Sequence, residues 1–200
     1  MLDAMQESEM NIYGSGSAKL LQSSLPALQR GFTLYELIIT IVIAGILVSV
    51  GVPSFQGLIL DNRRLAAVND LVSSFHYARS EAVKRGRQVS VCPTVNGAQC
   101  SGQNWENGWL IFVNNDMAPA SIDAGDEILK NHERINGTVT MIGTGVAASA
   151  VTYQARGYPV GLGTFTYCDS RGVAKARAID LSFAGKISTK DSNAMVLVCA

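Results

Sequence analysis

The sequence lacks the residue patterns on which most metal sites and catalytic centres depend. Its four cysteines form no C-x-x-C pair, its two histidines, His76 and His132, are isolated, and it has no H-E-x-x-H motif or phosphate-binding glycine loop. An excess of charge of one sign is also missing, because 16 basic residues balance 16 acidic ones, so no global field attracts nucleic acid. We therefore predict a protein that is not an enzyme and needs no cofactor.

A short acidic segment is the one place where oxygen ligands for a cation accumulate. Asp123, Asp126 and Glu127 lie close together in the sequence. They do not have the D-x-[DN]-x-[DN]-G spacing of a calcium-binding loop. We interpret the segment as a hydrated turn and predict no metal site.

The most apolar segment, residues 32–52, contains one charged side chain, Glu36. About 20 apolar residues in a helix span the hydrocarbon core of a bilayer, so the segment predicts a membrane-embedded helix. An ordinary secretory signal is the alternative, with Ala44, Gly45 and Ser49 as weak cleavage-site residues. A carboxylate inside the run argues against it, because an intramembrane charge is costly and indicates a function with a specific partner.

Residues 31–36, Gly-Phe-Thr-Leu-Tyr-Glu, and the apolar run after them resemble the type III signal of type IV pilins and type II secretion pseudopilins. The resemblance implies that prepilin peptidase cuts after Gly31 and that the same enzyme methylates the new amino terminus on Phe32. It also implies that Glu36 neutralises the terminal amine of a neighbouring subunit. Pairing would remove the cost of holding each charge away from water.

The resemblance divides the chain into four parts: a leader (1–31), a transmembrane and filament-core helix (32–53), an amphipathic helix (54–86) and a periplasmic β-rich domain (87–200). Leaders of this kind are usually shorter and positive, whereas this one contains Asp3, Glu7 and Glu9. Initiation at Met10 would remove these three acids. We therefore expect the true start to lie later than Met1.

Four cysteines in a chain with an export signal indicate disulfides formed in an oxidising compartment. They allow three pairings, and joining nearest neighbours in sequence favours Cys92–Cys100 and Cys168–Cys199. Four buried free thiols are the alternative.

The stem is expected to form one long helix from about Phe32 to Arg85. Gly45, Gly51 and Pro53 are predicted to interrupt it, because an internal proline removes a backbone hydrogen bond. Beyond them, apolar residues recur at steps of three and four, which predicts an amphipathic helix lying on a sheet: Leu65, Val68, Leu71, Val72, Phe75, Ala78 and Ala82. Gly86 is the predicted stop.

After Gly86 the apolar period changes from 3.6 to 2, which predicts short strands. The strands are expected in residues 87–92, 109–113, 151–154, 164–168, 178–183 and 195–198. Glycine, asparagine and aspartate turns between them indicate antiparallel pairing. The predicted class is α+β, with the type IV pilin fold: a long N-terminal helix packed on an antiparallel sheet or small β-sandwich.

Four stretches of the domain, residues 77–86, 91–100, 105–113 and 168–179, resemble the FimT/FimU and type II secretion protein H group of pilins and pseudopilins. The resemblance implies a minor pilin that helps to initiate a type IV pilus or lies near its tip. A type II secretion pseudopilus subunit of the H type is the alternative, because the signal and the fold are shared.

The same group includes FimT-like pilins that bind DNA, which gives a third alternative. Their Gly-Arg-x-Arg motif corresponds here to residues 185–188, Gly-Lys-Ile-Ser, in which lysine and serine replace the two arginines. This weakens the electrostatic attraction to phosphate. The candidate DNA-binding residues are Arg171, Lys175, Arg177, Lys186 and Lys190.

Localisation and partners follow from the resemblance. It implies a single-pass protein of the bacterial inner membrane with a periplasmic C-terminal domain, which then enters a pilus or pseudopilus. The expected partners are prepilin peptidase/N-methyltransferase, the inner-membrane assembly platform, major and other minor pilins or pseudopilins, and membrane lipid.

Overall fold

The computed structural model describes residues 31–116, 121–191 and 199. The chain divides into two compact units, Met1–Ile46 and Leu47–Ala200. The leader before Gly31 and the strand predicted in residues 195–198 lie outside the described residues.

One helix, α1, runs from Leu34 to Arg85. It begins immediately after Thr33, whose Oγ1 accepts a hydrogen bond from the backbone N–H of Glu36 at 3.2 Å. Threonine followed three residues later by glutamate is a helix-start signature. The helix ends where Gly86 adopts a positive φ of 64°, and the N–H of Arg87 donates to the carbonyl of Ala82. The stop predicted at Gly86 is therefore confirmed.

The predicted interruption of the stem is wrong for this structure. Gly45, Gly51 and Pro53 all lie within α1. A proline removes a single backbone donor, and the residues on both sides of Pro53 keep helical geometry. The two glycines lower the helix propensity without ending the helix.

The described part of the domain contains two antiparallel sheets. The first has the order β3-β2-β1-β5-β6, with bounds Glu127–His132, Trp109–Asn114, Gln88–Pro93, Val151–Tyr153 and Pro159–Val160. The second has the order β4-β7-β8-β9, with bounds Val139–Gly143, Gly163–Asp169, Arg177–Leu181 and Ile187–Asp191. Short 3-10 helices occupy Trp105–Asn107, Gly145–Ala148 and Val173–Lys175.

The second half of α1 packs its apolar stripe into the core of the domain. Five of the seven predicted stripe residues are buried, and Val72 packs against the core, but Leu65 is 43% exposed. At the centre, the ring of Phe75 contacts those of Trp105 and Phe165, with centroids 6.1 and 5.1 Å apart. Both tryptophans, Trp105 and Trp109, are fully buried in this core.

The four cysteines form two disulfides. Cys92 is bonded to Cys100 across 8 residues, and Cys168 to Cys199 across 31. We call them the short and the long disulfide. This is the nearest-neighbour pairing expected from the sequence.

Candidate functional site

The first candidate site is the stem, whose apolar side chains are exposed in the isolated chain. Among the described residues, α1 is the one helix long and apolar enough to cross a membrane, and none of its most apolar window is buried. Phe32 is 79% exposed, and Leu47 is 67% exposed. In water so much exposed apolar surface would be unfavourable, so the stem requires lipid or other protein chains around it.

Glu36 is the only charged side chain between Phe32 and Leu60. Its backbone N–H donates a hydrogen bond to the side chain of Thr33. The carboxylate of Glu36 therefore lies in the first turn of α1, where the helix dipole favours an anion. Within the described residues, no cation or hydrogen-bond donor contacts this carboxylate. The first turn therefore presents a lone anion that can accept a cation from another molecule.

Arg171, a predicted DNA-binding residue, is held in a network of ion pairs inside the domain. Its Nη2 lies 2.7 Å from Oδ2 of Asp169, and its Nη1 lies 3.0 Å from Oδ1 of Asp61 on α1. Hydrogen bonds from Arg171 hold the pKa of both carboxyl groups below their usual value. Arg64 also pairs with Asp61, at 3.0 Å, so the network ties α1 to the turn after β7.

The other four predicted DNA-binding residues divide into two pairs. Arg177 lies 2.9 Å from Asp191, and Lys190 lies 3.7 Å from Asp180. Lys175 and Lys186 are exposed, and their ammonium groups have no partner among the described residues. Three of the five candidate residues thus have a carboxylate beside them.

The acidic turn contains different residues from the set expected from the sequence, which was Asp123, Asp126 and Glu127. Asp116 joins Asp123 and Asp126, whereas Glu127 pairs with Arg85 at 2.7 Å. A hydrogen bond with Asp116 raises the pKa of Asp123. Asp126 accepts hydrogen bonds from the backbone N–H groups of Asn115 and Asp123, so both of its carboxylate oxygens already have partners within the turn. Asp116 could not be assigned to the turn from the sequence, because it lies seven positions before Asp123.

The two histidines occupy different surroundings. His76 is exposed on α1. His132 stacks on Trp109, with ring centroids 3.9 Å apart, and its Nε2 lies 3.5 Å from Oδ2 of Asp70. The Nε1–H of Trp109 donates to Ser74, so His132 covers a buried hydrogen bond. No pattern in the sequence indicated this stack.

Comparisons with known families match both parts of the chain. The model of the type II transport protein GspH family matches residues 67–185, which cover the C-terminal part of α1 and most of the domain. The prokaryotic N-terminal methylation motif matches residues 27–52, which include Gly31, Phe32 and Glu36.

Individual relatives are pilins and pseudopilins. The type IV narrow pilus major component PilA5 of Thermus thermophilus is 36% identical over 103 residues, which cover 48% of this chain and 88% of the relative. The crystal structure of the Pseudomonas aeruginosa type IV minor pilin FimU is 25% identical, with a TM-score of 0.53, and covers 68% of this chain and 94% of FimU. The Vibrio cholerae minor pseudopilin EpsH, at 8% identity and a TM-score of 0.46, covers 64% of this chain and 97% of its own.

The family match and the FimU likeness confirm the predicted pilin fold, with one long N-terminal helix packed on antiparallel sheets. The apolar stem with its single acid and the β-rich domain are the two halves of such a subunit. The chain therefore belongs to the type II transport protein GspH family and is a pilin-like subunit, a minor pilin or pseudopilin, of a type IV pilus or a type II secretion machine.

Proposed function

We propose that this chain is a minor subunit of a type IV pilus that is inserted into the filament by its stem. Leader removal between Gly31 and Phe32 and methylation of the amine of Phe32 prepare it for assembly. In the initiation or tip complex, Glu36 then pairs with the terminal ammonium of a neighbouring subunit. The observation that carries the proposal is the lone carboxylate of Glu36 in an apolar, exposed stem.

The energetics explain why this pairing would set the register of the subunits. On insertion scales, a carboxylate at the centre of a membrane helix costs about 2.5–3.5 kcal/mol. A terminal ammonium in the same surroundings is also penalised, and a close ion pair offsets both penalties. Neighbouring stems therefore have one axial position at which the two charges meet. The role of Glu36 in this scheme is structural, and the chain needs no catalytic centre.

The proposed location follows from the same segment. Residues 32–53 would cross the inner membrane once, before assembly, and form the filament core afterwards. Residues 54–86 and 87–200 would lie in the periplasm as the amphipathic helix and the β-rich domain. The proposed partners are prepilin peptidase/N-methyltransferase, the inner-membrane assembly platform, lipid, and major and other minor pilins.

A pilus is favoured over a type II secretion pseudopilus by the relatives. PilA5 and FimU are named as type IV pilus proteins, at 36% and 25% identity. The family description, type II transport protein, supports the alternative of an H-type pseudopilin. Deleting the gene in its native host separates the two functions. Loss of surface pili and twitching with normal protein secretion supports the pilus, and the opposite phenotype supports the pseudopilus.

The stem mechanism is tested with two substitutions in the native host. Gly31→Ala should block leader removal, so the uncut chain accumulates. Glu36→Ala should be cut and should begin with methylated Phe32 by mass spectrometry, yet be depleted from sheared filaments. Glu133→Ala is the matched control, because Glu133 is an exposed carboxylate whose side chain has no partner among the described residues.

Two results would contradict the mechanism. One is a mature chain that begins at a residue other than Phe32. The other is a Glu36→Ala subunit that enters filaments as well as Glu133→Ala does.

DNA binding is the weaker proposal, and the ion pairs limit its strength. With Arg171, Arg177 and Lys190 beside carboxylates, Lys175 and Lys186 remain to contact phosphates. Two phosphate contacts correspond to a slope of about −2 in a plot of log affinity against log salt. A measured slope of about −5 would mean that the ion-paired residues also contact the DNA.

A further inference from the structure

A polar pocket of about 410 Å³ lies at one end of the five-stranded sheet. Its lining comes from three segments, residues 86–88, 114–115 and 154–156. The register explains why they meet: Gln88 of β1 pairs with Asn114 of β2, and Val89 pairs with Tyr153 of β5. Each segment therefore lies where a neighbouring strand begins or ends.

One lining residue, Asn114, is fixed by a buried hydrogen-bond chain across the three strands. The side chain of Asn114 donates to Oγ of Ser90 at 3.2 Å, and Ser90 is bonded to Oγ1 of Thr152 at 2.7 Å. All three residues are buried. A buried network whose members satisfy one another holds a single arrangement, so the pocket is built before any ligand arrives.

Two arginines on opposite lining segments give the pocket its charge. Arg87 follows the helix stop, and Arg156 is on the turn after β5, where the N–H of Gly157 donates to the carbonyl of Gln154. Both side chains are exposed, and within the described residues neither guanidinium makes a hydrogen bond or ion pair. Every aspartate and glutamate after Gly31 is among the described residues, and none of their side chains pairs with either arginine.

An apolar rim adjoins the charged pocket. Tyr158 is 56% exposed and Val83 is 54% exposed. Gly157, next to Tyr158 in the chain, has a φ of 79°, and a Cβ added there would meet Val83 at 3.1 Å and Arg79 at 3.3 Å. The turn that carries Arg156 and Tyr158 therefore packs against α1.

We propose that this pocket, lined by Arg87 and Arg156, binds an acidic peptide segment of a neighbouring filament subunit. Two unpaired guanidiniums match carboxylates in fork geometry. The amide side chains of Gln88, Asn115 and Gln154 offer donors and acceptors to a peptide backbone, and the rim offers apolar contact. A nucleic acid is less well matched, because a phosphate backbone needs a track of cations, whereas these two meet in one concave pocket. The proposal rests on the filament function above.

The test uses the full chain in zwitterionic detergent micelles at low ionic strength. Fluorescein-labelled hexaglutamate is titrated by anisotropy, with labelled hexathymidylate as the nucleic-acid probe. The test variant is Arg87→Gln with Arg156→Gln. The matched control is Arg63→Gln with Arg134→Gln, two exposed arginines that also have no ion-pair partner in the described part of the chain.

We expect the parent to bind hexaglutamate and the pocket variant to bind it about fivefold to tenfold more weakly, since exposed charge pairs contribute only modestly to binding. The control should change by less than twofold. Absence of binding by the parent, equal losses in the two variants, or tighter binding of hexathymidylate would overturn the proposal. Peptide binding without filament incorporation would instead contradict the proposed function and leave the pocket assignment standing.

Discussion

Replacing Arg171, in the turn after β7, with alanine should destabilise the domain more than replacing Arg177, the ion-paired arginine of β8. The side chain of Asp169 is 1% exposed, and Arg171 makes a two-pronged contact with it, at 2.7 and 3.0 Å. Without the guanidinium, this carboxylate keeps the backbone N–H of residue 171 and the more distant charge of Arg64, but it loses its hydrogen-bonded counter-ion. The variant therefore buries an unpaired charge.

The magnitude follows from the burial of each partner. Removing one member of a buried pair costs about 3–5 kcal/mol. Because a backbone hydrogen bond to Asp169 remains, we expect Arg171→Ala to cost about 3 kcal/mol. Arg177→Ala is the matched control, because its partner Asp191 is 67% exposed. A pair of that kind contributes at most about 1 kcal/mol.

The pH dependence of the stability difference between Arg171→Ala and the parent provides an independent test. In the parent, the folded-state pKa of Asp169 and of Asp61 lies below the unfolded value, so their stabilisation is present above that value and is lost as pH falls through the folded pKa. In Arg171→Ala, burial without a cation raises the pKa of Asp169, and protonation relieves the penalty. The stability gap between variant and parent should therefore narrow as pH falls from 7 toward about 4.

The assay is urea unfolding of the full chain in micelles, followed by tryptophan fluorescence. Trp105 and Trp109 are the only tryptophans in the sequence, and both are fully buried in the domain, so the stem contributes no tryptophan signal. A loss no larger than that of Arg177→Ala would refute the reasoning. A gap that stays constant or widens at low pH would refute it as well.

Two further predictions use the same unfolding assay. Ser74→Ala should lower the free energy of unfolding by about 1–3 kcal/mol, because the buried Nε1–H of Trp109 loses its acceptor. The control Ser73→Ala loses an exposed hydrogen bond within the helix and should lower it by less than about 0.5 kcal/mol. Equal losses would exclude the Trp109 hydrogen bond as the cause. Replacing both cysteines of the long disulfide with serine should cost about 1 kcal/mol more than doing so for the short one, because the closed loop spans 31 residues instead of 8. The reverse order would show that loop entropy does not dominate.

The central strands were predictable from the sequence because their side chains alternate against one core. The predicted segments 109–113 and 164–168 correspond to β2 and β7 within two residues. β3, β4, β6 and β9 were missed, and all four are edge strands. β3 and β9 carry polar residues with little burial, such as Lys130 and Lys190, which favour solubility over pairing with other chains. Their existence depends on the neighbouring strand, and no local pattern encodes that.

The roles of charged residues were the least predictable part. Whether a cation is free to bind a ligand depends on whether it has an ion-pair partner, and that partner is distant in sequence. Arg171 and Asp61 are separated by 110 positions, so the same arginine that suggested DNA binding in the sequence is committed to the fold in the structure. Arg87 and Arg156 show the converse. Their sequence surroundings are unremarkable, yet folding brings them to one pocket and leaves both unpaired. On this chain, the unpaired charges, with Glu36 among them, are therefore better guides to binding surfaces than the density of charge along the sequence.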